Sequence, residues 1–122
     1  MIPRELLARA RDLLARDDPT TAGLWPRCVA FLLRQALEGE VEAFVDRLAP
    51  GMRDTPMRSQ LIALTVLCRD QGLARRVVYA WHALSEATHY QACELAPGEV
   101  DLNAWLSTVE AFVDPSATQE TR

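Results

Sequence analysis

The sequence has no lysine. All 13 of its basic residues are arginines, so every cation is a planar, permanently charged fork, although a GC-rich genome would produce the same usage. Nowhere does an apolar run reach the ~18 residues of a membrane span, which excludes a membrane-spanning helix. The opening MIPRELLARARDLL is interrupted by arginine every few residues and does not read as a signal peptide, so the cytoplasm is the expected compartment. No segment alternates apolar and polar residues as a strand does, no internal repeat is evident, and there is no glycine-rich phosphate loop. Cysteine is scarce. Cys28, Cys68 and Cys93 are odd in number, widely separated and lack a C-x-x-C spacing, which argues against both a disulfide framework and a zinc knuckle. Each falls in a helical apolar pattern, so small buried thiols are expected.

What remains is a chain of 122 residues, the size of one domain, with 49% hydrophobic and 25% charged residues, ordinary for a globular protein. Net charge is −4, which does not suit a protein coated in nucleic acid, but its distribution is uneven. Residues 47–76 hold six arginines against Asp54 and Asp70, whereas residues 77–122 hold one arginine against seven acids. Such asymmetry fits a basic face toward an anionic partner, and it fits ion pairs between helices equally well.

Helical periodicity is the dominant pattern. Leu6, Leu7, Ala10, Leu13 and Leu14 form one stripe between Pro3, at home in a first helical turn, and the stop Asp17-Asp18-Pro19. From Trp25 to Leu48 an i, i+3, i+4 series runs for about six turns and passes in phase through Gly39, so one long helix is expected. Thr55-Pro56 reads as a capping threonine and a first-turn proline for a third helix, with Gly72 as its carboxy-terminal cap. A fourth helix runs from about Leu73 past His89, with Val77, Trp81, Leu84 and Thr88 inward. A fifth starts near Pro97 and carries Leu102, Trp105, Leu106, Val109, Phe112 and Val113. The expected fold is therefore all-α, an antiparallel bundle of about five helices over residues 3–113. Residues 114–122 are polar, with almost nothing to bury, and are expected to form a disordered tail. Trp25, Trp81 and Trp105 fall on apolar stripes as core or interface anchors.

Both histidines lie on the fourth helix. His82, Ser85, Glu86, His89 and Cys93 share one face, extended toward the amino terminus by Tyr79 and Arg75. Three readings of this stripe stand side by side. It is a solvated or interface face. Or it is a metal site, because Glu86-x-x-His89 has the spacing of di-iron bundles and Glu38, Glu42 and Asp46 form an acidic ladder, although those bundles use two such motifs. Or it does acid–base work on RNA, with a histidine moving protons and Arg75 or Arg76 holding a phosphate near the charge-dense turn Arg69-Asp70. No cofactor pattern is present.

The run PRCVAFLLRQALEGEVEAFV resembles the second helix of HEPN domains, including an ARQA-like phrase at Arg34-Gln35-Ala36. YAWHALSEATHY followed by ELAPGEVDLNAWLSTVEAFV resembles their last two helices. The resemblance covers most of residues 5–113. It implies a small helical bundle, usually dimeric, that is either a metal-independent endoribonuclease or the partner of another subunit such as a minimal nucleotidyltransferase. The family motif is an arginine separated from a histidine by four to six residues. By position in the helix His89 is the family histidine, but residues 82–84 supply no arginine before it. Arg76-x5-His82 meets the spacing but sits earlier in the helix, with Val77 where the family has a polar residue. The candidate catalytic residues are thus His89, His82 and Arg76. The incomplete motif implies a non-catalytic interaction module, a homodimer or the partner of another protein, with RNA as the alternative ligand.

Overall fold

The computed structural model describes residues 3–16, 25–89 and 99–113. These form five helices: α1 (Pro3–Arg16), α2 (Trp25–Leu48), α3 (Met57–Leu67), α4 (Gln71–His89) and α5 (Glu99–Val113). There is no strand among the described residues. Residues 114–122 and Cys93 lie outside the described residues, as does the Trp25 side chain.

The long second helix is continuous, as its periodicity predicts. It packs against each of the other four helices, so its buried surface is wide. Val29, Ala30, Leu33, Ala36, Leu37, Val41, Phe44 and Val45 are all buried. The core they share takes Leu6, Leu7, Ala10 and Leu14 from α1, Leu61 and Leu64 from α3, Leu73, Val77 and Leu84 from α4, and Leu102, Val109 and Phe112 from α5. The ladder of contacts between α2 and α4 shows their relative direction. Glu38 meets Trp81 while the earlier Arg34 meets the later Thr88, so the two helices run antiparallel.

Gly39 has a packing role. A methyl group on its Cα would lie 2.9 Å from the Pro3 ring, closer than side chains tolerate. The glycine thus lets the start of α1 seat against the middle of α2. The next residue, Glu40, is half-buried. Burial pushes its carboxyl above the usual carboxylate range, against the opposing pull of Arg4 and Arg47.

Two helix ends differ from the sequence expectation. Thr55 does not cap α3. Its hydroxyl donates to the Met52 carbonyl at 2.5 Å, closing the preceding turn, and Pro56 becomes the residue that flanks the helix. The turn is held from inside the bundle by the buried Gln60, whose amide donates to the carbonyls of Arg53 (3.2 Å) and Thr55 (3.0 Å). Gly72 likewise does not end α3, which stops at Cys68 in an extended conformation, and instead sits in the first turn of α4. Asp70 caps that turn: its carboxylate accepts the Leu73 N–H and its carbonyl the Ala74 N–H, both at 3.0 Å. The cysteine expectation divides. Cys68 is buried, and burial raises its thiol pKa, whereas Cys28 is exposed on α2.

Gly39→Ala should bring none of the ~1 kcal/mol that alanine offers over glycine inside a helix. In a Pro3→Ala background the same substitution should stabilise by about that amount, as read by urea unfolding. A gain in both backgrounds would show that α1 does not press on Gly39.

Glu40 makes a pH prediction. Its folded pKa is raised, so its contribution to stability is full below the unfolded pKa and is lost as pH rises through the folded one. Wild type should therefore lose stability relative to Glu40→Gln as pH rises above the ordinary glutamate value of about 4. A parallel pH dependence of the two proteins would contradict it.

Candidate functional site

Asp70 starts α4, and a row of inward residues fixes its rotation. Leu73, Ala74, Val77, Ala80, Leu84 and Ala87 are buried. At 3.6 residues per turn this leaves Arg75, Tyr79, His82 and Glu86 on the outer ridge, and all four are exposed. The stripe singled out in the sequence is therefore a surface feature at His82 and Glu86 and in its extension through Arg75 and Tyr79, whereas Ser85 is half-buried with its hydroxyl oxygen turned inward. The His89 side chain lies outside the described residues.

A groove flanks the ridge on each side. Toward α5 lies an open groove of about 720 Å³, with Arg75, Arg76 and Tyr79 at one end, Glu86 and Asp101 at the other, and Trp105 along its wall. Its depth comes from small side chains, Ala80, Ala83, Ala87 and Ala104. Arg76 reaches across it to donate to the Thr108 hydroxyl at 3.4 Å. Toward α3 lies a groove of about 470 Å³ lined by Arg58, Leu61, Ile62, Thr65, Val78 and His82. The His82 ring stands edge-on to Trp81, with centroids 5.1 Å apart.

The structure does not bring Arg76 and His82 together. Six residues along a helix turn the side chain through about 240°, so Arg76 enters the α5 groove while His82 enters the α3 groove. The arginine that shares a groove with His82 is Arg58, contributed by α3. No sequence spacing could have found it, because the pair is created by packing α3 beside α4.

A second unanticipated feature is the polar contact between α2 and α4. Glu38 accepts the Trp81 indole N–H at 2.8 Å and Arg34 Nε at 3.2 Å on the same carboxylate oxygen. Arg34 also donates to the Thr88 hydroxyl at 3.1 Å, and Thr88 donates to the Ser85 carbonyl at 3.1 Å. The Arg34 guanidinium lies 6.0 Å from the Trp81 ring centre. This explains why Trp81 and Thr88, read as inner-stripe residues, are only half-buried. They stand at the edge of the core, where a polar atom finds a partner. Glu38, a member of the acidic ladder, is thereby engaged. Among the described residues, no three histidine, cysteine or acidic side chains converge on a point where a metal could sit.

Arg53, Arg58, Arg69 and Arg75 are all exposed on α3, its flanking turns and the start of α4, with Asp54 and Asp70 exposed in the same turns. Among them stand Ile62 and Val66, 67% and 60% exposed, one turn apart on the outer side of α3. No helix among the described residues is long and apolar enough to cross a membrane.

The Glu38–Trp81 bond is testable on its own. A double-mutant cycle with Glu38→Ala and Trp81→Phe should return a coupling of about 1 kcal/mol in urea unfolding. Additive losses would mean that the bond contributes nothing to holding α2 against α4.

No protein-family model, curated protein or solved structure matches the chain.

Proposed function

We propose that this chain is a protein-interaction module, a HEPN-like bundle of the non-catalytic kind that docks another protein on the outer surface of α3 and α4. The observation that carries the reading is the outward pair Ile62 and Val66, large apolar side chains that leave the core to Leu61 and Leu64 on the other side of the same helix. Apolar side chains grouped on a surface and rimmed by charge are characteristic of binding faces. The arginines around them favour a partner with acidic residues at the rim of its own apolar patch.

A second reading has its own support. His82, Arg58 and Thr65 line one groove, so a proton-transferring imidazole and a phosphate-binding guanidinium share a surface. On that reading the chain is a metal-independent endoribonuclease whose arginine is Arg58, not Arg76.

A photo-cross-linking residue placed at position 62, in the cell that encodes the protein, separates the two. The interaction reading expects cross-links to protein that are lost when Val66→Asp is added. Cross-links to RNA, together with RNA cleavage in EDTA that His82→Ala abolishes, would replace it with the nuclease. Absence of any cross-link would overturn the docking surface.

A further inference from the structure

The groove between α4 and α5 carries unpaired charge of opposite sign at its two ends. Arg75 and Arg76 stand at one end, Glu86 and Asp101 at the other, and all are exposed. Among the described residues none of them is in an ion pair. The arginines instead donate to neutral groups, Arg75 to the Gln71 carbonyl and Arg76 to the Thr108 hydroxyl, each at 3.4 Å. Thr108 is buried and donates its own proton to the Ala104 carbonyl at 3.2 Å, which leaves its lone pairs to hold Arg76 against α5. Between the charged ends lie Tyr79, Trp105 and a floor of alanine side chains.

That floor selects the occupant. Alanine has no polar side-chain atom, and the backbone groups of α4 and α5 are spent within their own helices. An extended peptide laid along it would leave dry N–H and C=O groups without partners, which is costly. A helix satisfies its own backbone and loses nothing there. The charges then set its direction. Arg75 and Glu86 are eleven residues apart, about 16 Å along α4, and three turns of an incoming helix cover the same length. Acids in the first turn of that helix would meet Arg75 and Arg76, and bases in its last turn would meet Glu86 and Asp101. Those are also the ends at which acids and bases favour the helix's own dipole, so one arrangement satisfies both. The opposite direction would need bases at the amino end and acids at the carboxy end, against the dipole.

We infer that the α4–α5 groove binds an amphipathic helix of a partner protein, acidic in its first turn and basic in its last, running parallel to α4. The inference rests on the interaction reading for the kind of ligand, a protein, and adds a second contact on the other flank of the α4 ridge. Large apolar residues on the incoming face fill the space that the small floor leaves. Trp105 and Tyr79, the latter 72% exposed, shield those residues from water. The charges at the ends select direction more than they add affinity.

Fluorescence anisotropy on the full chain with a pair of labelled, hydrocarbon-stapled peptides tests the proposal. One peptide carries glutamates in its first turn, arginines three turns later and leucines between them on the same face. The other has the glutamates and arginines exchanged. Wild type should bind the first about tenfold or more tightly than the second. With Arg75→Glu, Arg76→Glu, Glu86→Arg and Asp101→Arg combined, the preference should invert, and inversion itself shows that this variant is folded. Should the combined variant lose its helical circular dichroism, Arg75→Glu with Arg76→Glu takes its place and should abolish the preference. Val66→Asp, on the far side of the ridge, should leave the first peptide's affinity unchanged. A wild type that binds neither peptide at millimolar concentration overturns the inference, as do equal affinities or a loss of binding in Val66→Asp. The cross-linking outcome at position 62 remains separate. A chain that binds neither peptide and still cross-links to protein through position 62 retains the interaction reading and loses the groove.

Discussion

Everything in this bundle is built against one helix. α2 must present apolar surface to four neighbours at once, and a helix can do so only if its apolar arc is much wider than the usual single stripe. Its buried residues meet that demand with a mixture of sizes, alanines at 30 and 36 among Leu33, Leu37, Val41 and Phe44. The small positions let other elements approach closely, and Gly39 takes this furthest by admitting the Pro3 ring. The remaining helices each need to supply only one apolar face. This frees the outer sides of α3 and α4, which have no structural task to perform.

Polar groups do the fine positioning. Hydrophobic burial is non-directional, so it brings α4 to α2 without deciding how far the helix slides or rotates. The bonds of Glu38 to Trp81 and Arg34 to Thr88 settle that, since each requires a particular height along both helices. Arg34 preceding Glu38 is the less favourable order for an isolated helical ion pair. Its value here comes from third parties: the indole and the Thr88 hydroxyl share the two charged groups at a half-buried seam where water competes less. Gln60 and Asp70 act in the same way at the two ends of α3, one tethering the turn before it and the other opening the helix after it.

The sequence made most of this legible where a single helix settles the outcome. The stripe of α1, the unbroken series through Gly39 in α2 and the apolar positions of α5 are local repeats, and packing had only to use them. Reading was less secure where two groups compete for one partner. Thr55 carries the side chain of a helix cap, but its hydroxyl is taken by Met52, and no local rule gives the turn priority over the helix. Cys28 fits the α2 period and is still exposed, because the wide arc of that helix ends before reaching it. The site was least legible. The outer ridge of α4 was recognisable as a stripe, whereas the pairing of His82 with Arg58 depends on α3 lying alongside, which no spacing within α4 encodes.

The composition of α3 bears on what that outer surface is for. Ile62 and Val66 are β-branched, so within a helix they lose side-chain freedom against the preceding turn, and alanine or glutamate would favour the helix more. They bury little of themselves in the fold, so core packing does not repay that loss. Neither helix formation nor the core therefore explains why these positions are apolar. The proposed docking of another molecule would account for it, and the same reasoning extends to Tyr79 on the neighbouring ridge, whose ring is mostly in water while its helix is anchored from the opposite side by Val77, Ala80 and Leu84. Three of the five large apolar side chains exposed among the described residues, Ile62, Val66 and Tyr79, lie on the neighbouring helices α3 and α4, while Phe31 and Val100 stand on α2 and α5, so the proposed docking surface draws on the larger of these groups.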